Sequence, residues 1–261
     1  MNGITAPNSL GEPGSHDPLW KYMNIMKFLD LITTGELFCM KGNKLQKFDK
    51  YEGIFPFHQI NQMSENLQRL SEKCWNYSPE EVQREYKLDK TKLLEFWNEL
   101  CYVSCWHGNI SESNAMWKLY ASSGPGVAIK TNYYKIVQSL SEFKEPWFMA
   151  NIKYIDPAQE RIADDNLYYP LFHKRLCFDY EKEVRIVIFQ YDKESSVGTE
   201  LRPLEKEGIR VPIDLEKLIE YIVLPPETSS YFESVLKSII SKYGYDFKFR
   251  DTRVAIDHLL E

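Results

Sequence analysis

The chain is notable first for what it does not contain. No apolar run in its 261 residues approaches the stretch of about 18 that crosses a bilayer, so no membrane partner is expected. Cysteine is sparse and odd in number: Cys39, Cys74, Cys101, Cys105 and Cys177. There is no Cys-x-x-Cys pair, and His16, His58, His107, His173 and His258 lack zinc-ligand spacing, so a structural metal is not expected. An odd cysteine count without a signal-peptide pattern points to a reducing compartment and a cytoplasmic protein. There is no basic excess either. The net charge is −6, which argues against a long duplex nucleic acid as partner, because phosphate neutralisation drives such binding. A local basic groove for a short strand stays open. Ser-His-Asp spacing, a phosphate-binding glycine loop and a dinucleotide fingerprint are all absent.

What remains is an ordinary globular composition with many aromatics. The length suits one large domain or two small ones with a core that needs no staples. With 17 Tyr and 6 Trp, the aromatics fit either planar surfaces for a ring-bearing ligand or an aromatic-rich core. Residues 1–17, rich in Gly, Pro, Ser and Asn, read as a flexible leader to one domain over 18–261. Strands are predicted at Leu19–Met23, Leu37–Met40, Cys101–Trp106, Val127–Lys130, Phe148–Tyr154, Val184–Phe189, Tyr221–Leu224 and Asp246–Arg250. On the strand at 101–106, Cys101 and Cys105 share a face. Helical spacing marks Ile25–Thr34, stopped by Gly35, then much of 61–100 with a start at Ser78-Pro79, Ser111–Ala121, and 164–176. Ser230-x-x-Glu233 reads as a capping box opening a helix that Gly244 ends. Residues 41–56 and 191–207 read as loops. The elements mix without βαβ regularity, so the expected class is α+β: a mixed, mainly antiparallel sheet flanked by helices.

Three stretches carry candidate chemistry. In Met116–Ala121, Trp117 and Tyr120 lie three apart on one helix face, before the turn Gly124-Pro125-Gly126. This is a stacking surface or a helix laying its aromatics on a sheet. In Phe178-x-Tyr180-Glu181-x-Glu183-x-Arg185, the charges at 181, 183 and 185 share one face of an extended segment, which is either solvated or lines a polar pocket. A carboxylate beside an arginine stays ionised and can stabilise a developing cation. The third stretch is Asp49-x-x-Glu52-Gly53, whose loop carboxylates position a ligand or cap a helix.

In this order the stretches resemble a bacterial family known only as a domain of unknown function. An early "LYKY"-type strand is matched by Leu19-Trp20-Lys21-Tyr22, and a "DPFEG"-like loop by Asp49–Gly53. A strand ending near Cys-Phe-Ser is matched by Val103–Trp106, "MWxxYAxxxxGxxI" by Met116–Ile129, and "WxYExExR" by Phe178–Arg185. The match runs over about residues 19–250. The chain also resembles, more distantly, the mono-ADP-ribosyltransferases, through the early aromatic strand, the helix ending in Gly, and a late Glu-x-Glu before a strand. That resemblance implies an ADP-ribosyltransferase-like fold and NAD as a consumed cofactor. It also implies a cofactor-binding set of Lys21, Tyr22, Trp117, Tyr120 and Arg185, with Glu183 or Glu181 as the catalytic carboxylate. No metal takes part. Many members carry His or Arg where Lys21-Tyr22 stands here.

The expected function is therefore NAD-dependent modification of a macromolecule by a toxin or phage-defence effector, with that target or an antitoxin-like protein as partner. A non-catalytic nucleotide- or peptide-binding module is the main alternative. A nuclease is a further one, although Glu181-Lys182-Glu183 sets the lysine out of place for a metal-nuclease core.

Overall fold

In the computed structural model, residues 10–60, 90–121, 125–196, 201–226 and 228–252 are described. They form an α+β structure built on an open, mainly antiparallel nine-stranded sheet. Its strands are β1 (Pro18–Asn24), β2 (Glu36–Lys41), β3 (Cys101–Gly108), β4 (Gly126–Asn132) and β5 (Trp147–Asn151). Between β5 and the rest, β6 (Lys153–Ile155) and β7 (His173–Arg175) make a separate parallel pair. The sheet continues with β8 (Glu183–Phe189), β9 (Gly208–Pro212), β10 (Tyr221–Val223) and β11 (Phe249–Arg250). Only the β10–β11 pairing within it is parallel.

β3 is the branch point. Along 101–107 it pairs with β8, which in turn pairs with β5. Its other edge is shared: His107 and Gly108 pair with β1, while Tyr102 and Val103 pair with β2. The sheet therefore forks on that edge, with β1 continuing through β4 to β10 and β11, and β2 through β9. Period-2 alternation assigns the faces. Leu19, Met23, Tyr102, Trp106, Val184, Ile186 and Ile188 face one core, which also takes Phe28 and Ile32 of the helix Ile25–Thr34 and Leu236 and Ile240 of the helix Ser230–Lys242. The opposite face carries two apolar clusters. One gathers Val103, Val187, Trp97 of the helix Lys90–Leu100, and Leu171. The other gathers Trp20, Tyr22, Met116, Trp117 and Ala128. The alternate positions between them, Cys105 and His107 on β3 and Glu183 and Arg185 on β8, are polar.

Local chemistry explains the boundaries. Asn24 caps Ile25–Thr34 through its side chain, and Gly35 at φ +66° ends it by returning its N–H to Leu31. Residues 230–242 are helical, but the cap is Ser229, whose Oγ accepts from Phe232 N. Ser230 is already the first helical residue and Phe232 stands at the third, so a single serine cap one position earlier replaces the expected capping box. The helix expected over 164–176 is instead a 3-10 turn, Tyr169–Phe172, followed by β7. Pro170 lacks the N–H that a helix would need, and β7 finds a partner in β6. The expected strand Phe148–Tyr154 divides at Ile152, whose N–H bonds to the Glu183 carbonyl at 2.9 Å.

β9, the helix Tyr133–Ser139 and the helical turn Leu215–Leu218 are additions to the predicted elements. The loop at 41–56 holds a 3-10 turn, Gly42–Lys47, and the last strand is confined to 249–250. Within the leader expected at 1–17, residues from 10 onward are anchored. Leu10 is buried, the Gly11 carbonyl accepts from Asn151, and Ser15 accepts from Tyr134 N. Residues 61–89, with the Ser78-Pro79 start, and residues 122–124 lie outside the described residues. Among the described residues no helix is long and apolar enough to cross a membrane.

A buried charge cluster on the sheet

β8 is a central strand, so the alternating face that carries Glu183 and Arg185 is enclosed rather than solvated. Arg185 is fully buried and Glu183 nearly so. Such charges persist in a sheet only when their hydrogen-bonding capacity is met. Arg185 Nε donates to Glu183 Oε1 at 2.7 Å, Nη1 to the Leu171 carbonyl at 2.6 Å, and Nη2 to Glu52 Oε2 at 3.3 Å. The backbone N–H of Glu183 donates to the Tyr154 hydroxyl at 2.7 Å. That bond is a consequence of the break between β5 and β6, which turns Tyr154 toward β8.

Glu181 is not on the strand. It ends the 3-10 turn Leu176–Glu181, and Lys182 follows at φ +40°. This is the one positive-φ residue other than glycine among those described. The left-handed step is held on both sides: Lys182 N donates to the Asp179 carbonyl at 3.1 Å, and Gly108 N donates to the Lys182 carbonyl at 2.8 Å. His107, buried on β3, meets the Glu181 carbonyl through Nδ1 at 2.5 Å. The kink lets Glu181 and Glu183 converge on a single cation. Lys174 of β7 places Nζ 2.6 Å from Glu181, 2.9 Å from Glu52 and 3.3 Å from Glu183.

Glu52 arrives on the loop after Gly42–Lys47. Asp49 fixes that loop by accepting from Arg175 Nε at 2.9 Å, and Arg175 lies between the rings of Tyr51 and Phe178. Gly53, at φ +73°, has its carbonyl held by Asn98 at 2.7 Å; a side chain there would run into the same amide.

The environment separates the two glutamates of the Glu-x-Glu pair. Burial alone raises both carboxyls. At Glu183 the charge of Arg185, its hydrogen bond and Lys174 outweigh burial and bring the carboxyl down to about 2. At Glu181 burial prevails over Lys174, helped by Glu183 and Glu52, and its carboxyl is raised. Cys105 sits beside Glu183, but burial and that carboxylate push its thiol up, so it is a neutral hydrogen-bonding group and not a nucleophile. Among the described residues no group of His, Cys, Asp and Glu has a metal-holding arrangement. The centre between the three glutamates is taken by the Lys174 ammonium.

All three stretches singled out by sequence meet here, though not every residue within them. Glu181, Glu183 and Arg185 come together. Tyr120 lies near them: the residue is 40% exposed, and its phenol, raised first by burial, also feels Cys105, Glu181 and Glu183. Trp117 is buried, edge-on to Tyr22 at 4.9 Å, with Nε1 on Glu112. It packs the helix Asn114–Ala121 onto the sheet. Tyr22 is buried as well, accepting from Ser113 N through its hydroxyl and lying edge-on to His107. Lys21 faces the other side of the sheet. At the fork its Nζ bonds to Ser104 Oγ at 2.9 Å and the Cys105 carbonyl at 3.0 Å, over the Trp106 ring.

Sequence reasoning missed Lys174, His107 and Tyr154, and it did not join Glu52 to Arg185. The run His173-Lys174-Arg175 was the available signal for the central cation, hidden by the helix expected there. Tyr51, Tyr120 and Tyr180 are exposed, and Arg175 has 37% of its side chain exposed. No protein-family model matches the chain, and no curated protein matches it.

Proposed function

We propose that the protein is an ADP-ribosyltransferase-like enzyme that consumes NAD to modify a macromolecule, with Glu181 and Glu183 at its centre. The observation that carries this reading is the convergence of two glutamates of opposite pKa direction on one ammonium, beneath an exposed tyrosine. Both touch Lys174 Nζ, so their contacting oxygens are no more than about 6 Å apart, gathered around that ammonium. Breaking a ribose–nicotinamide bond builds positive charge on the sugar. Glu183, held ionised, stabilises that charge, and Glu181 exchanges a proton or orients a hydroxyl. Tyr120 offers a ring for stacking, and Arg175 a cation for phosphate at the rim. The motif order, which resembles that of the bacterial family described above, and the resemblance of the Glu-x-Glu to that of the transferases support the same reading, and the proposal extends to a cytoplasmic toxin or defence effector with an antitoxin-like partner.

A second reading, a non-catalytic nucleotide- or peptide-binding module, is favoured by one specific observation. Glu52, Glu183, Lys174 and Arg185 form ion pairs with one another almost entirely out of solvent, as a structural clamp would. The discriminating assay follows nicotinamide release and transfer of labelled ADP-ribose from NAD in a lysate, with Glu181→Gln and Tyr120→Ala alongside. Turnover abolished in Glu181→Gln supports the transferase. Saturable NAD binding without turnover supports the module, and neither binding nor turnover removes NAD from consideration.

A further inference from the structure

We infer that His107 is a positioning residue for Glu181: with its two neighbours at the end of β3 it grips the main chain at 181–182 and so sets the Glu181 carboxyl on the Lys174 ammonium. The catalytic half of this role rests on the transferase reading; the geometry does not. Three consecutive residues make the grip. The His107 ring meets the Glu181 carbonyl through Nδ1 at 2.5 Å, Gly108 N donates to the Lys182 carbonyl at 2.8 Å, and Asn109 Oδ1 accepts from Lys182 Nζ at 3.3 Å. A ring nitrogen that faces a carbonyl carries the hydrogen, so Nδ1 is the donor. Nε2 is buried and has no hydrogen-bond partner among the described residues. The ring is therefore oriented by the Nδ1 bond and by its edge-on packing with Tyr22, 6.0 Å between centroids. A β-carbon at 108 would come within 3.0 Å of the Val184 side chain and 3.4 Å of the Lys182 carbonyl, so glycine lets β3 end this close to the left-handed step.

The two glutamates differ in what fixes them. Glu183 stands on a strand paired on both sides, and its carboxylate is held by Arg185 at 2.7 Å and Lys174 at 3.3 Å. Its own N–H is tied to the Tyr154 hydroxyl. Glu181 precedes the strand. Among the described residues its carboxyl has one hydrogen-bonding partner, Lys174 Nζ at 2.6 Å. Between Glu181 and the strand lies Lys182 at φ +40°, a conformation that costs a residue bearing a β-carbon and that persists where the surroundings hold it. If the step relaxes, the Cα–Cβ bond of Glu181 swings with its peptide, and a carboxyl with a single partner is carried off Lys174. His107 thus acts on the chemistry through Glu181 and touches no reacting atom.

The test compares wild type with His107→Phe, which keeps a ring and removes the donor, and with His107→Asn, whose amide N–H stands near the place of Nδ1–H. Crystal structures and NAD turnover are the two readouts. In His107→Phe the Glu181 carboxyl is expected to lie beyond about 4 Å from Lys174 Nζ, outside ion-pair reach. Its kcat is expected to fall by roughly tenfold to a hundredfold, the scale of a misplaced group, while KM for NAD stays within about twofold. His107→Asn is expected to keep the contact and to hold kcat within about threefold of wild type. A Glu181 carboxyl still on Lys174 in His107→Phe overturns the inference, and so does an equal loss of kcat in the two variants. Should wild type leave NAD intact, the transferase reading falls and the crystal structures alone decide the role of His107. Should His107→Phe fail to fold, His107→Ala replaces it, because the space it opens lets water reach the Glu181 carbonyl; the same displacement is expected, and an undisplaced Glu181 overturns the inference.

Discussion

Replacing Arg185 by Met is the sharpest challenge to the cluster as described. Methionine fills much of the arginine stem's volume, so the cavity effect is small and the loss is chiefly electrostatic. The guanidinium is fully buried, bonds to Glu183, Leu171 and Glu52, and is the cation that holds Glu183 ionised. Its removal leaves two buried carboxylates with only Lys174 between them and Glu181. Breaking a buried pair by deleting one partner costs about 3–5 kcal/mol. At this chain length that corresponds to a fall in Tm of roughly 10 °C. Urea unfolding followed by tryptophan fluorescence measures it, provided refolding retraces the curve. Adding Glu183→Gln to Arg185→Met removes one stranded charge and should return a substantial part of the loss. A loss under about 1 kcal/mol for Arg185→Met, or a double variant no more stable than the single one, would refute the assignment of Arg185 as the counter-ion.

Other substitutions test separate parts of the site. Because the Glu183 carboxyl is depressed to about 2, its stabilising contribution is present above the ordinary glutamate range and drains away as the pH falls toward 2; Glu183→Gln should flatten that acid limb in urea melts taken at successive pH values. Trp117→Ala should cost about 3–5 kcal/mol as a core deletion, whereas Tyr120→Ala should change stability by less than about 1 kcal/mol while weakening NAD binding in calorimetry. Lys182→Gly should gain stability of about 1 kcal/mol in thermal melts, since glycine adopts the left-handed conformation without the cost a β-carbon brings; a loss would show that the lysine is unstrained.

The strands were legible wherever apolar residues ran together. Val184–Phe189 and Cys101–Trp106 are buried on both faces and announce themselves by composition, and the Gly35 stop is a local signal that tertiary contacts do not change. Failure came where long-range partners override local preference. Residues 173–175 form a strand because β6 lies beside them, and no window of sequence around 164–176 contains β6. The site was legible as charge pattern but not as assembly. The alternation of Glu183 and Arg185 could be read as a polar pocket or a solvated edge, and only the pairing of β8 on both sides decides between the two. Trp117 and Tyr120, three apart on one helix, differ because the helix packs one ring edge-on to Tyr22 and leaves the other residue partly exposed. Lys21 and Tyr22, adjacent in sequence, are divided by the thickness of the sheet.

The branching of β3 has a consequence for the order in which the molecule is put together. One edge of β3 can be filled early, by β1 and β2, which precede it in the chain. The other edge waits for residues 183–189. Glu52 likewise waits for Lys174 and Arg185, more than a hundred residues further along. Contacts of such sequence separation form late, after the loop-closure entropy has been overcome. A chain still emerging from the ribosome therefore keeps its glutamates apart and solvated, and the paired carboxyls come into being only with the closing strand. Assembly of the charge cluster and the pairing of β8 with β3 are the same event.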